Sequence, residues 1–356
     1  MDPETRLSLI KQVGEEIITE EELAELINSK SNIIAYDGFE PSGKIHIAQG
    51  ILRTININKM AQAGIKFKML VADWHAWANN KMGGDLDKIQ LVGKYMIEVW
   101  KHCGMDLKNV EFVWASDLLN NREYWKTVMQ VARLNTIKRL MRTLEIMGRK
   151  ESETLYGSQL IYPCMQAADI FHLKADICQI GMDQRKVNML AREIGPSLGL
   201  WKPVVVSHHM LMGLGEPPKA DSPERMMELK MSKSKPGTAI FMDDSEEDVN
   251  RKIKDAYCPI KITKDNPIVE YCRYLVFEKY EILEIKRPDK YGGDVVIENF
   301  AELEKLYEKG ELHPADLKTS VACYINKMME PVREGFKKNK KMCELKEKIE
   351  GFEVTR

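Results

Sequence analysis

The chain has 356 residues, of which 44% are hydrophobic and 30% charged, and a formal net charge of -1. That length suggests two domains, each able to bury its own core, while the near-neutral balance excludes a globally electropositive nucleic-acid binder and leaves RNA contact to local patches. Seven cysteines with no Cys-x-x-Cys pair argue against a disulfide framework or a structural zinc site; with no apolar core at the N-terminus and no run near the roughly 20 apolar residues of a membrane span, a cytoplasmic protein is expected.

Residues 4–28 read as two helices, the second opened by Thr19 with Glu22 three residues on, the capping-box spacing. The run Ile33-Ile34-Ala35 leads in as a buried strand, Pro41, Ser42 and Gly43 break it, and from Ile47 apolar residues recur at helical spacing. Such a strand, turn and helix start exposes free N–H groups and a positive dipole end that favour anions, with His46 at the mouth. The helix ends at Gly64 and residues 66–72 form the next strand. Asp73-Trp74-His75-Ala76-Trp77 follows it, at the end where ligands collect in open α/β sheets; the two tryptophans read as core. Asp85 is placed to cap a helix running to about His102, with Gly104 past its end, and residues 110–114 give a third strand. This alternation implies parallel strands with right-handed crossovers.

From Arg122 to Lys150 the pattern is helical and basic, with Arg133, Lys138, Arg139 and Arg142 spread over more than one face. Residues 176–181 and 203–207 supply two further strands around a helix from about Gln184 to Glu193. Lys230-Met231-Ser232-Lys233-Ser234-Lys235-Pro236-Gly237 packs cations and hydroxyls around small residues, a composition suited to a mobile phosphate-gripping loop that closes the first domain. Ser245 and Asp248 form a capping box opening a mostly helical C-terminal half, interrupted by an exposed loop at 285–294 of the kind that carries recognition. Lys337-Lys338-Asn339-Lys340-Lys341 reads either as an RNA patch or as a solvated basic face.

Taken together and in this order, the stretches 36–50 and 230–237 resemble the two signature motifs of class I aminoacyl-tRNA synthetases. The phrase around Tyr36 and Gly43, with Tyr162-Pro163-Cys164-Met165-Gln166-Ala167-Ala168-Asp169, is similar to tyrosyl-tRNA synthetases of the archaeal and eukaryotic branch, and the similarity runs over nearly the whole chain. It implies an α/β fold: N-terminal helices over 1–30, a Rossmann-type parallel-sheet catalytic domain over 31–240, and a mostly α-helical anticodon-recognition domain over 241–356. It also implies a helical insertion at about 120–160 near a homodimer interface. The implied reaction activates L-tyrosine with ATP and transfers it to tyrosine tRNA, with Mg2+ brought by the ATP and no metal site of the protein's own.

The resemblance assigns His46, Gln49, Lys230 and Lys233 to catalysis, and Gly38, Gly43 and Ser232 to ATP binding beside them. The family's first motif often reads His, small apolar, Gly, His; here it reads His46-Ile47-Ala48-Gln49, where Ala48 still permits close backbone approach and Gln49 can donate a hydrogen bond without carrying charge. Tyr36 and Asp169 match the positions that bracket the substrate's phenolic oxygen, a polar floor that phenylalanine could not satisfy. Tyr162, Gln166 and Gln184 match those at the α-amino end, with Glu40 beside them. For RNA it implies Arg142, Arg185 and Lys186 near the acceptor stem, and Tyr291, His313 and Asp316 at the first anticodon base. The residues alone also admit Tyr36 and Tyr162 as core aromatics and Asp316 as a helix N-cap. Rival readings are a tryptophanyl enzyme, expected to lack the Tyr36 and Asp169 pair, a non-catalytic paralogue, and another adenylyl-transferring enzyme.

Overall fold

The computed structural model describes residues 1–147, 156–219 and 225–352. Six strands form one sheet: β1 (Glu16–Ile18), β2 (Ile34–Phe39), β3 (Lys66–Val71), β4 (Val110–Trp114), β5 (Ile177–Cys178) and β6 (Val204–Ser207), in the order β1-β6-β5-β2-β3-β4. β6, β5, β2, β3 and β4 run parallel, with β2 and β3 in register from Ile34 against Lys66 to Phe39 against Val71. The chain lays β3 and β4 on one side of β2 and then β5 and β6 on the other. The order therefore reverses between β2 and β5, and a crevice opens beyond their carboxyl ends, where ligands bind in such sheets.

Side chains alternate across the sheet into two apolar clusters. Ala35, Phe67 and Met69 enter one, which continues from Ile10 through the C-terminal half to Ile349; Tyr36 and Leu70 enter the other, covered by the helices Arg122–Arg133, Gly157–His172 and Arg185–Ile194. The helix Leu86–His102 starts where the Asp85 side chain accepts from the Lys88 N–H and gives way to Gly104 at φ +84°. It lies close on the sheet through Gly93, where a Cβ would stand 2.7 Å from the Trp114 ring. Thr19 and Ser245 cap their helices as expected. No helix among the described residues is long and apolar enough to cross a membrane.

The structure departs from the sequence reading in three places. Residues 4–28 are not simply two helices, because β1 lies between Pro3–Lys11 and Glu20–Ser29 and pairs antiparallel with β6. Three residues are too few to show a strand period; β1 forms because the exposed edge of β6 supplies partners such as Ser207 O for the Glu15 N–H, at 2.7 Å. Trp77 is not core but 45% exposed, edge-on to Trp74. The expected loop at 285–294 begins inside a two-stranded hairpin, β7 (Leu283–Ile285) against β8 (Val295–Ile297). The lysine run is largely neutralised: Lys337 and Lys338 pair with Glu334, Lys340 with Glu344 and Lys341 with Glu98. The basic stretch after Arg122 is helical over Arg122–Arg133 and Ile137–Met141, with a turn at Leu144–Met147, and its residues 148–150 lie outside the described residues.

His209, after β6, ties three parts of the chain together. Its ring stacks on Tyr274 at 4.2 Å, with Nδ1 3.2 Å from Glu15 and Nε2 3.1 Å from Glu270. Burial opposes its charge, but hydrogen bonds to Glu15 and Glu270 outweigh burial and raise its pKa to about 9. A folded-state pKa above the ordinary 6.5 stabilises fully below pH 6.5 and loses that contribution as pH rises to about 9. In urea titrations, the wild-type midpoint should fall between these pH values by more than that of His209→Gln; parallel pH dependences would refute the clamp.

Candidate active site

Backbone pairing brings the two motifs to one wall of the crevice. The Ile47 N–H donates to Ile240 O (2.9 Å) and the Met242 N–H to Ile45 O (2.8 Å), so His46 lies opposite Phe241, just past the lysine loop. The loop's near end is held the same way, with the Met231 N–H donating to Leu211 O. Gly43 adopts φ +115°, a conformation few other residues take, to turn the chain between β2 and His46. Beyond it the helix opens with a π-turn at Ala48–Leu52, a distortion common at functional sites. The cleft so formed has a volume of about 870 Å³.

At its inner end Asp169 is fully buried. The Tyr124 hydroxyl donates to Asp169 Oδ1 at 2.8 Å, and His75 Nε2 lies 2.8 Å from Oδ2. Tyr36, from β2, carries a buried hydroxyl near enough to feel the Asp169 charge, and that hydroxyl has no hydrogen-bond partner among the described residues. Burial, then the nearby Cys178 and Asp169, raise its pKa well above 10, so it remains a neutral donor. Tyr162 is kept protonated by burial and by Glu40. Gln166 Nε2 donates to Gln184 Oε1 at 3.0 Å, Gln184 donates to Ile146 O, and Glu40 accepts from Asn79 at 3.0 Å with Lys81 3.7 Å away. All six residues expected at the tyrosine end thus line one cleft. The inner end offers carboxylates, amide groups and phenols.

The outer end is cationic. His46 is 7% exposed; burial, reinforced by Lys233 and Lys230, pushes its pKa down to about 3, so the ring is neutral with one N–H to give. Lys230 pairs with Asp183 at 2.7 Å, and Lys233 reaches Ser42 Oγ at 3.3 Å and Gly43 O at 3.5 Å. Burial and the charge of Lys81 lower the Lys233 pKa to about 7. Gly38 and Ser232 line the same cleft, as does Gln49, whose Oε1 is buried without a partner and whose carbonyl accepts from the Trp100 indole. Among the described residues no group of three His, Cys, Asp or Glu side chains is arranged to hold a metal.

The residues expected at RNA lie apart from this cleft. Arg142 and Lys186 are exposed, and Arg185 pairs with Glu16 on β1. Tyr291, 61% exposed under the Lys290 ammonium, sits in the β7–β8 loop; Arg287 anchors that loop by donating to Gly293 O and Glu311 O, two residues before His313. His313, not Asp316, is the N-cap of the helix Pro314–Lys338: its Nδ1 accepts from the Ala315 N–H. The cap position precedes the Pro at N1, as proline's missing N–H favours, which leaves Asp316 in the first turn. The Asp316 carboxylate makes no hydrogen bond or ion pair among the described residues.

Sequence reasoning missed a second tier of residues. Asp37 and Arg53 form a buried pair at 2.9 Å beneath the cleft floor, and Arg53 also contacts His208 Nδ1 and Gln179 O. Burial raises the Asp37 pKa to about 7 against the pull of Arg53. His75 stood in a stretch already placed at the ligand end of β3, so its position was readable. Tyr124, Asp183 and Arg53 carried no signal, because their partners lie far away in sequence.

Residues 28–330 match the family model described as tRNA synthetases class I (W and Y). The chain is 48% identical to tyrosine–tRNA ligase 1, cytoplasmic, of Arabidopsis thaliana, across 99% of this chain and 90% of that one. It is 40% identical to a tyrosine–tRNA ligase of Saccharolobus islandicus, across 98% of both. Its structure superposes on a tyrosyl-tRNA synthetase of Pyrococcus horikoshii complexed with L-tyrosine with a TM-score of 0.92, at 39% identity, covering 98% of this chain and 100% of that one. The chain belongs to the class I tRNA synthetases of the tryptophan and tyrosine family. Within that family it stands with the tyrosine enzymes of archaea and eukaryotes, as the sequence motifs implied.

A lysine with a pKa of about 7 is half neutral at neutral pH and therefore nucleophilic. At pH 7.5, limiting acetic anhydride should acetylate Lys233 ahead of the surface lysines, and ATP should protect it. Mass spectrometry showing Lys233 among the slow-reacting lysines would contradict this environment.

Proposed function

We propose that this protein is a tyrosine–tRNA ligase that activates L-tyrosine with ATP in the cleft described above and transfers it to the 3' end of tyrosine tRNA. The observation that carries the reading is the pair of buried groups lining the inner end of the cleft, the unpartnered Tyr36 hydroxyl and the Asp169 carboxylate, a donor and an acceptor that a phenol could join. A phenylalanine ring would leave both unpaired, and losing a hydrogen bond to a charged acceptor costs roughly 1.5–3 kcal/mol. Gln166, Gln184, Tyr162 and Glu40 then surround the amino end of the substrate.

In the first step the tyrosine carboxylate attacks the α-phosphorus and pyrophosphate leaves. No side chain acts as nucleophile, so the protein's contribution is positioning and stabilisation of developing charge. Neutral His46 offers one N–H to phosphate oxygens. Lys233 and Lys230 supply charge to the departing pyrophosphate, and phosphate would draw Lys230 from Asp183 and restore the proton on Lys233. Gly38 leaves the backbone accessible, Gly43 turns the chain beneath it, Ser232 adds a hydroxyl, and Gln49 can donate through its amide. The chemistry of this wall, cations and hydroxyls rather than a carboxylate cage, fits Mg2+ held mainly by ATP's phosphates and water.

Residues 31–240 would carry activation and residues 241–356 anticodon recognition, with the helices of 1–30 packed on the former. Arg142, Arg185 and Lys186 would approach the acceptor stem. Trp125, Met129, Leu134 and Ile137 are exposed by 38%, 62%, 44% and 67% along neighbouring helices, and an apolar strip of this kind supports burial against a second copy of the chain. The sequence similarity to a plant enzyme named as cytoplasmic supports that location.

Exchange between pyrophosphate and ATP, followed with tyrosine, tryptophan or no amino acid, tests the function: only tyrosine should support it. Lys233→Ala should lower the turnover roughly 10²–10³-fold with little change in tyrosine affinity, since its charge acts as pyrophosphate departs. An effect confined to tyrosine binding would remove Lys233 from that role. Asp316→Ala should reduce charging of tyrosine tRNA while leaving exchange intact. With the cap assigned to His313, the stability cost at Asp316 is limited to the helix dipole, about 0.3–1 kcal/mol. Charging assays with tRNA altered only at the first anticodon base should show a smaller preference for guanine in the variant; a full wild-type preference would withdraw the assignment.

A further inference from the structure

We infer that Tyr124 and His75 are positioning residues for Asp169, and that by holding its carboxylate aimed at the substrate phenol they set the preference for tyrosine over phenylalanine. The inference rests on the proposed reading of Tyr36 and Asp169 as the floor of the phenol site, and it deepens that reading. It starts from an energetic difficulty: Asp169 is 0% exposed, and a buried carboxylate whose oxygens go unmatched is costly.

Two side chains resolve the difficulty, one on each oxygen. Tyr124, itself 0% exposed, donates its hydroxyl to Oδ1 at 2.8 Å, with Met165 O 3.2 Å away. Its ring is wedged edge-on against His172 at 5.2 Å and Trp125 at 5.9 Å, which fixes where the hydroxyl can point. His75, 1% exposed, brings Nε2 to 2.8 Å from Oδ2, and its ring stands edge-on to Tyr162 at 5.1 Å. Burial disfavours charge on His75, but Asp169, Glu40 and Asp73 together outweigh it and raise its pKa above the ordinary value. A carboxylate has about four lone-pair sites. Tyr124 fills one on Oδ1 and His75 stands beside Oδ2 as an ion-pair partner, which leaves sites open to the unpartnered Tyr36 hydroxyl and the substrate phenol. Phenylalanine leaves one of them empty.

Neither residue touches the α-phosphate end of the cleft, so their removal should act on amino-acid selection rather than on ATP. In the full-length protein, Tyr124→Phe retains the ring and deletes only the donor; His75→Gln retains an N–H and deletes the charge. By pyrophosphate exchange, each should raise the KM for tyrosine roughly ten- to hundredfold, the value of a hydrogen bond to a charged group, with the KM for ATP unchanged. The tyrosine-to-phenylalanine ratio of kcat/KM should shrink in step. A merely structural role would instead lower the melting temperature and the turnover with both amino acids alike. Asp169→Asn, measured alongside, separates two failures. If Asp169→Asn loses tyrosine activation while Tyr124→Phe keeps the wild-type selectivity ratio, the positioning role is overturned and the phenol floor stands. If Asp169→Asn activates tyrosine normally, the floor itself is wrong and the inference falls with it. Should His75→Gln fail to fold, the Tyr124→Phe ratio decides alone.

Discussion

Two backbone hydrogen bonds, between Ile47 and Ile240 and between Met242 and Ile45, make the cleft a single object. They are short-range in space and long-range in sequence, and without them the His46 turn and the lysine loop would be unrelated surface features. Side chains reinforce the same join: Lys44 pairs with Asp243 at 2.5 Å, and buried Lys252 donates to Ala239 O and pairs with Asp244 at 2.6 Å. The lysine loop is therefore anchored at both ends through its backbone, while Lys233 in its middle is held only through its side chain, by Ser42 and Gly43. That arrangement suits a group that must follow charge as pyrophosphate departs while its base stays in register.

The cleft is zoned electrostatically, and the zoning follows from what each end must hold. Lys230, Lys233 and neutral His46 face the outer end; Asp169, Glu40 and the buried phenols face the inner one. A buried charge is expensive unless matched, and three pairs supply the match here: Asp37 with Arg53, Asp169 with His75, Lys230 with Asp183. The Asp37 and Arg53 pair lies at the tip of β2 and the start of the helix Arg53–Gln62, so it fixes the register of that helix against the strand that supplies Tyr36. The same network reaches His208 through Arg53, which places one more neutral ring on the cleft wall.

The end of the chain returns to the N-terminal half. Phe336, near the end of the helix Pro314–Lys338, stacks on Tyr95 at 5.9 Å; in the last helix, Lys340–Glu350, Lys341 pairs with Glu98 and Lys346 lies 4.0 Å from Asp243, the carboxylate that also holds Lys44. Lys341, which in sequence looked available to RNA, is used instead to seat the last helix on Leu86–His102. His209 joins the halves at another point, between Glu15 and Glu270.

The sequence by itself determined the local elements and the two motifs. Strand, turn and helix follow from period and punctuation over a few residues, which is why β2, β3, β4 and the Asp85 and Ser245 caps were legible; Tyr36, His46, Asp169 and Lys233 were named from the resemblance those motifs carry, and they line one cleft. The tertiary structure decided whatever depends on a distant partner. β1 exists only because the edge of β6 accepts it, and Lys341 is paired only because Glu98 comes to it from the helix Leu86–His102. Above all, Tyr124 and His75 acquire a role only by meeting at Asp169. Buried charge is satisfied through space, and the residues that satisfy it leave no spacing in the chain by which to recognise them.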